Sequence, residues 1–113
     1  MSDVKVRVDD VFYYPDLLVA CSDSQKNPYY ETEPLLIIEV LSPSTEAKDR
    51  FEKRVMYQRL PSLQEYVLVA QEKMQIEIYR RVENGWVHIT YDEHEQVEFV
   101  SIKASLALNE IYP

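Results

Sequence analysis

Two carboxylates in the first half of this sequence have apolar neighbours. Asp16 follows a proline in "YYPDLLVAC", and Glu39 interrupts the apolar run "LLIIEVL". A carboxylate in a buried strand is costly unless it is paired, hydrogen-bonded or bound to a metal. Two carboxylates on adjacent strands would make a divalent-cation site, because Mg²⁺ prefers a couple of carboxylates, several waters and substrate phosphate oxygens. Such an ion can activate water for phosphodiester hydrolysis.

The same residues also allow structural interpretations. Glu39 could lie at a sheet edge or pair with an arginine or lysine, and Asp16 could be a turn residue after its proline. A lysine on the segment that follows could neutralise developing charge or orient a water. Asp49 and Lys53 are four residues apart, however, and could simply form an ion pair on one helix face. Spacing alone leaves all of these interpretations open.

The composition excludes several other kinds of site. The single glycine excludes a glycine-rich phosphate loop, and the single cysteine excludes a disulfide framework and a CxxC metal cluster. With a net charge of −8, the chain lacks the overall positive charge that is typical of nucleic-acid-binding proteins. This charge still permits a local basic groove or a metal-assisted site. With no apolar run near ~20 residues and no apolar signal core, we expect a cytoplasmic protein without a membrane segment.

Apolar patterning predicts the elements that must position these residues. The order is three strands, one helix at about 45–60 capped by Ser44 or Thr45, and four more strands. This order is typical of an α/β or α+β domain with a mixed sheet. The hairpin turn is expected at Asn84-Gly85. The last ten residues are expected to form a short helical or irregular tail. The strands are predicted at 4–8, 11–21, 35–41, 65–70, 74–82, 86–92 and 97–102.

The predicted helix has an apolar face and a charged face. Phe51, Val55 and Met56 are expected to face the sheet, whereas Arg50 and Arg54 are expected to be exposed. One helix cannot cover both faces of such a sheet. We therefore expect either that a partner subunit covers the other face or that upstream residues are missing.

Three stretches taken together resemble the Uma2 family of restriction-endonuclease type, within the PD-(D/E)XK nuclease fold. They are "YYPDLLVAC", "PLLIIEVLSPSTEAKDRFEKRVMYQRLPSLQEYVLVA" and "IEIYRRVENGW", and the likeness runs from about 4 to 112. The resemblance implies a restriction-endonuclease-like mixed sheet with one long core helix. It also implies a Mg²⁺- or Mn²⁺-dependent endonuclease acting on DNA, with Asp16 and Glu39 as catalytic metal ligands.

The sequence departs from the broad fold at the lysine that is expected two residues after the glutamate, where it has Leu41. The likeness is to variants in which a helix supplies the basic residue. Lys53 is then the first candidate for the catalytic lysine, and Lys48 is the second.

A second departure is length, since Uma2-like chains usually carry a substantial N-terminal part with helices. We therefore expect a single domain, residues 1–113, truncated at its N-terminus. The alternative to a nuclease is a catalytically inactive remnant of the fold that dimerises and acts as an interaction or structural protein. A homodimer is expected.

Overall fold

A computed structural model of the chain describes residues 5–20, 29–42 and 47–112. None of the helices in these ranges is long and apolar enough to cross a membrane. The elements are β1 Val6–Val8, β2 Val11–Tyr13, β3 Leu17–Ala20, β4 Pro34–Leu41, α1 Ala47–Tyr57, β5 Glu65–Ala70, β6 Gln75–Val82, β7 Gly85–Asp92, β8 Gln96–Phe99, a 3₁₀ turn Val100–Ile102, β9 Ala104–Ala107 and α2 Leu108–Ile111.

The central feature is a five-stranded mixed sheet in the order β3-β4-β5-β6-β7. The β4 and β5 strands are parallel, and the other neighbouring pairs are antiparallel. A parallel pair needs a crossover connection, and the segment that contains α1 provides it. This mixed α+β architecture confirms the predicted fold class.

Alternation along β4 divides the core in two. Ile37 and Glu39 lie on the face covered by α1, whereas Leu36 and Ile38 lie on the opposite face. Tyr57, Leu60 and Leu63, from α1 and the segment after it, are buried against the first face. β4 therefore reads as nearly continuous apolar sequence because both of its faces are covered.

The opposite face is covered in part by the chain's own C-terminal elements, which was not anticipated from the sequence, and cover of the rest by a partner subunit or by missing residues stays a prediction. Val97 and Phe99 from β8 and Leu108 from α2 are buried against β4, β5 and β6. Tyr112 links the C-terminal end of the chain to β5, because its hydroxyl donates a hydrogen bond to the carbonyl of Ala70. The single long helix is thus not the only cover of the sheet.

Several predicted elements differ in their limits. The strand expected at 11–21 divides into β2 and β3 around the buried Pro15, which has no N–H to continue a ladder. The last predicted strand ends at Phe99, and the tail contains β9 and α2. The hairpin turn is at residues 83–84, and Gly85 begins β7 with φ 145°. The start of the helix and its cap at Ser44 or Thr45 lie outside the described residues.

The phase of α1 also differs from the prediction. Met56 packs against the core as predicted, but Phe51 and Val55 are exposed. Arg50 and Arg54 are half-buried on the side near the sheet. The side of α1 that faces the sheet is therefore mixed, with arginine side chains beside apolar ones.

Candidate active site

Glu39 is buried on the α1 face of the sheet, with 8% of its surface exposed. Its Oε2 atom accepts a hydrogen bond of 2.8 Å from the hydroxyl of Tyr66 on the adjacent strand β5. Its Oε1 atom lies 3.7 Å from the Nζ of Lys53 on α1. The carboxylate is therefore held from two sides by groups on different elements.

The surroundings of Glu39 act on its pKa in both directions. Burial, the largest influence, raises the pKa of the carboxyl above its ordinary value. The hydrogen bond from Tyr66 and the charge of Lys53 lower it, and the nearby Asp16 raises it. The pKa is raised on balance, so the anionic form is not fully compensated and would gain from a further positive charge.

Asp16 is exposed and lies in a bend immediately before β3. Its Oδ2 atom accepts a hydrogen bond of 2.7 Å from the backbone N–H of Val40. Leu17 pairs with Ile38 on the antiparallel ladder, so Asp16 lies beside Glu39 on the neighbouring strand. The expected juxtaposition of the two carboxylates is present, although Asp16 belongs to a bend and is not within a buried strand.

Lys53 lies between two carboxylates. Its Nζ atom is 3.7 Å from Glu39 and 3.6 Å from Oδ2 of Asp49, one helical turn earlier. Two structural interpretations left open by the sequence, the ion pair of Lys53 with Asp49 and the pairing of Glu39 with a lysine, are therefore both present. Lys48 is exposed, and no carboxylate of the described chain pairs with it. Leu41 packs against the core on the α1 face.

Tyrosines surround the buried side of Glu39. The ring of Tyr57 lies 5.1 Å from that of Tyr13 and 5.2 Å from that of Tyr66. Burial, reinforced by the charge of Glu39, raises the pKa of the Tyr57 and Tyr66 hydroxyls far above the ordinary value, so both stay protonated.

The hydrogen bond from Tyr66 to Glu39 was not anticipated from the sequence. The sequence did hold one indication of it, because side chains alternate between the two faces of a strand and Tyr66 therefore shares a face of β5 with Leu68. That Tyr66 reaches Glu39 follows only when the parallel register of β4 and β5 is known, since in this register Glu39 pairs with Leu68.

The donor set at this site suits Mg²⁺ or Mn²⁺ better than zinc. Asp16 and Glu39 supply two carboxylates, and no group of three or more His, Cys, Asp or Glu side chains that could hold a metal occurs in the described ranges. Structural zinc sites take four protein ligands and catalytic ones three. Mg²⁺ is satisfied by one or two carboxylates, because waters and substrate phosphates complete its coordination.

Comparison with known proteins finds likeness over nearly the whole chain. The family model "Uma2: Putative restriction endonuclease" matches residues 1–109. The uncharacterized protein slr1290 of Synechocystis sp. is 37% identical over 98% of this chain and 60% of its own length. A second protein of that organism, sll1609, is 30% identical over 91% of this chain and 62% of its own. The chain thus spans about 60% of the length of these relatives.

A solved structure has the same fold. It is the crystal structure of "a putative nuclease belonging to DUF820" from Anabaena variabilis, with a TM-score of 0.75 and 13% identity. The match covers 99% of this chain and 66% of that one. At this identity the likeness shows a shared architecture, and it supports the predicted nuclease-like class of fold.

Proposed function

This chain belongs to the Uma2 family, described as a putative restriction endonuclease, and from that membership we propose that it is a metal-dependent endonuclease domain that hydrolyses phosphodiester bonds in DNA. One observation carries the proposal. The carboxylate of Asp16 bonds the backbone next to Glu39, and the Nζ of Lys53 lies 3.7 Å from Glu39 on the other side. Two carboxylates and a lysine, from the bend before β3, from β4 and from α1, thus lie close to one another.

Each residue has a distinct role in this proposal. Asp16 and Glu39 would hold Mg²⁺ or Mn²⁺. A bound ion of this kind supplies an activated water and stabilises charge on the leaving oxygen. Lys53 places a positive charge beside Glu39, where it can balance negative charge that develops on the phosphate.

Other side chains hold these groups in place. Tyr66 donates to Oε2 of Glu39 and so fixes the orientation of the carboxylate, leaving Oε1 toward Lys53. Asp49 contacts Lys53 from the far side and limits the positions that its amine can take. Positioning of this kind is worth a large part of a rate enhancement when the reacting groups are already aligned.

The alternative, an inactive remnant that dimerises and acts as an interaction or structural protein, is not favoured. Its motivations were an uncovered sheet face, Leu41 in place of a lysine and the acidic net charge, and the sheet face is packed in part by Val97, Phe99 and Leu108. A remnant would also have no need to keep Asp16, Glu39 and Lys53 close together.

Cleavage of supercoiled plasmid DNA tests the proposal. We expect nicking in Mg²⁺ or Mn²⁺ and none in EDTA, and we expect Asp16→Ala and Glu39→Ala to lose it. Asp10→Ala, which removes a fully exposed carboxylate outside the site, is the matched control and should cleave as the wild type does. Equal cleavage by all four proteins would contradict the assignment of the site.

A further inference from the structure

A second polar feature lies at the carboxyl ends of the parallel strands β4 and β5. A cavity of about 340 Å³ opens there between Leu41, Ala70 and the first turns of α1. Its charged lining residues are Arg50, Lys73 and Glu72. In a chain of net charge −8, this cavity has two cations and one carboxylate.

Arg50 is unusual among the arginines near the sheet. It is half-buried, its Nε atom is buried without a hydrogen-bond partner, and no acceptor in the described part of the chain pairs with its guanidinium. By contrast, the Nε of Arg80 donates to Glu65 at 2.8 Å, and that of Arg81 donates to the carbonyl of Leu63 at 2.8 Å. A partly buried cation without an acceptor is costly, and an anionic ligand would remove that cost.

The cavity adjoins the candidate active site. Leu41 is two residues after Glu39 and lies on the same sheet face, and Arg50 directly follows Asp49 on α1. Arg50 also lines a second cavity of about 160 Å³, which it shares with Arg54. The guanidinium of Arg54 lies over the ring of Tyr79 at 4.8 Å. Two arginines one helical turn apart thus extend from the site along α1.

We propose that the cleft formed by Arg50 and Lys73 binds a backbone phosphate of DNA next to the phosphodiester that the Asp16–Glu39 site would cleave. This inference rests on the proposed function. Arg50 presents a planar fork of donors that matches phosphate oxygens, and Lys73 adds a mobile point charge. Phosphate contacts of this kind set the register of the duplex without reading its sequence. The cleft is therefore the local basic groove of an otherwise acidic protein.

Binding of a fluorescein-labelled DNA duplex tests this inference, measured by anisotropy in EDTA over a range of salt concentrations. Metal-free conditions keep the measurement independent of cleavage. Arg50→Gln and Lys73→Gln are compared with Lys103→Gln, which removes an exposed cation that follows the 3₁₀ turn, away from the cleft. Each removed phosphate contact is expected to weaken binding about tenfold and to lower the slope of log affinity against log salt by about 1.

A stability measurement separates binding from a structural role. Because Arg50 makes no hydrogen bond that its loss would break, Arg50→Met is expected to melt at or above the wild-type temperature while it binds DNA more weakly. Unchanged binding in Arg50→Gln and Lys73→Gln would overturn the inference, as would wild-type protein that does not bind the duplex. If Glu39→Ala abolishes cleavage while the Arg50 variants bind normally, the inference fails and the proposed function stands. If the Arg50 and Lys73 variants bind DNA more weakly in a salt-dependent way but the wild type cleaves no DNA, the inference stands and the proposed function fails.

Discussion

Glu39 and Glu65 are both buried carboxylates on neighbouring strands, but their surroundings differ. Glu65 is fully buried, pairs with Arg80 at 2.8 Å and accepts hydrogen bonds from the backbone N–H groups of Val100 and Ser101. Glu39 has one hydrogen bond from Tyr66 and a more distant contact with Lys53. A fully satisfied carboxylate is structural, whereas an incompletely satisfied one beside a second carboxylate is suited to receive a cation.

The raised pKa of Glu39 predicts a pH-dependent effect of its replacement. The folded state binds the proton of this carboxyl more tightly than the unfolded state does, so stability falls as pH rises between the unfolded and the folded pKa. Glutamine removes this dependence and can still accept from Tyr66. Metal-free Glu39→Gln should therefore melt at a higher temperature than the wild type at neutral pH, and the difference should narrow on acidification.

Thermal melting followed by circular dichroism at several pH values in EDTA measures this effect. Asp10→Asn serves as the control, since it neutralises a fully exposed carboxylate outside the site. A Glu39→Gln protein that is less stable than the wild type at neutral pH would show that the anionic form is already compensated.

The two candidate lysines are predicted to differ in activity. Lys53 contacts Glu39, whereas Lys48 is exposed and forms no ion pair with either site carboxylate in the described part of the chain. Loss of a charge aimed at the reacting phosphate typically costs about 10²–10³ in rate. Lys53→Met should therefore reduce plasmid nicking by about that factor, whereas Lys48→Met should nick at nearly the wild-type rate. The opposite order would make Lys48 the catalytic lysine.

At the scale of elements, the strands were largely predictable because apolar alternation and turn residues are local signals. The buried run of β4, the helix that follows it and the hairpin of β6 and β7 were all anticipated. Pro15 lies inside the single strand predicted at 11–21, and the division of that strand between two sheets depends on pairing with distant segments. The proximity of Asp16 and Glu39 was implied by the family resemblance, and it arises because β3 and β4 are neighbours in the sheet.

The orientation of α1 was not predictable in the same way. Phe51, Val55 and Met56 set the expected phase of the helix. Met56 packs against the core, yet Phe51 and Val55 are exposed, and Lys53 and Arg50 lie on the side of the sheet. Hydrophobic periodicity assumes that a helix buries its most apolar face. That assumption fails where the sheet presents a carboxylate such as Glu39, because a charged partner is then more favourable than an apolar one.

Glu65 is predicted to be essential for the packing of the C-terminal elements. Its carboxylate joins β5 to Arg80 of β6 and to the 3₁₀ turn after β8. Removing one partner of a buried ion pair costs about 3 kcal/mol, since the other charge stays buried. Glu65→Ala should therefore lose about that much free energy of unfolding in urea titration. Glu98→Ala, at an exposed site on β8, should lose little. Equal stability of the two variants would contradict this role.

At the scale of the whole molecule, the second face of the sheet is only partly covered. A cavity of about 450 Å³ with a mainly apolar lining remains beside β3 and β4, where Leu17 and Val40 are exposed. The homodimer expected from the sequence stays a prediction. Sedimentation velocity at micromolar concentration tests it, and a single monomeric species would contradict it.

The net charge of −8 is the property of the whole chain that bears most on the proposed function. An acidic surface repels DNA, so productive binding requires local positive charge. Lys53, a bound divalent cation and the cleft of Arg50 and Lys73 would supply it on one side of the sheet. Composition predicted that any basic groove must be local, but its position could not be inferred because the side chains that form it come from α1 and from the segment after β5.

The central claim is that Asp16 and Glu39 together hold one divalent cation, and calorimetric titration with Mn²⁺ tests it most directly. The wild type is expected to bind a single ion per chain near neutral pH. Asp16→Asn and Glu39→Gln should each lose this binding while remaining folded, and Asp10→Asn should keep it. The same stoichiometry and affinity in all four proteins, or no binding by the wild type, would contradict the account.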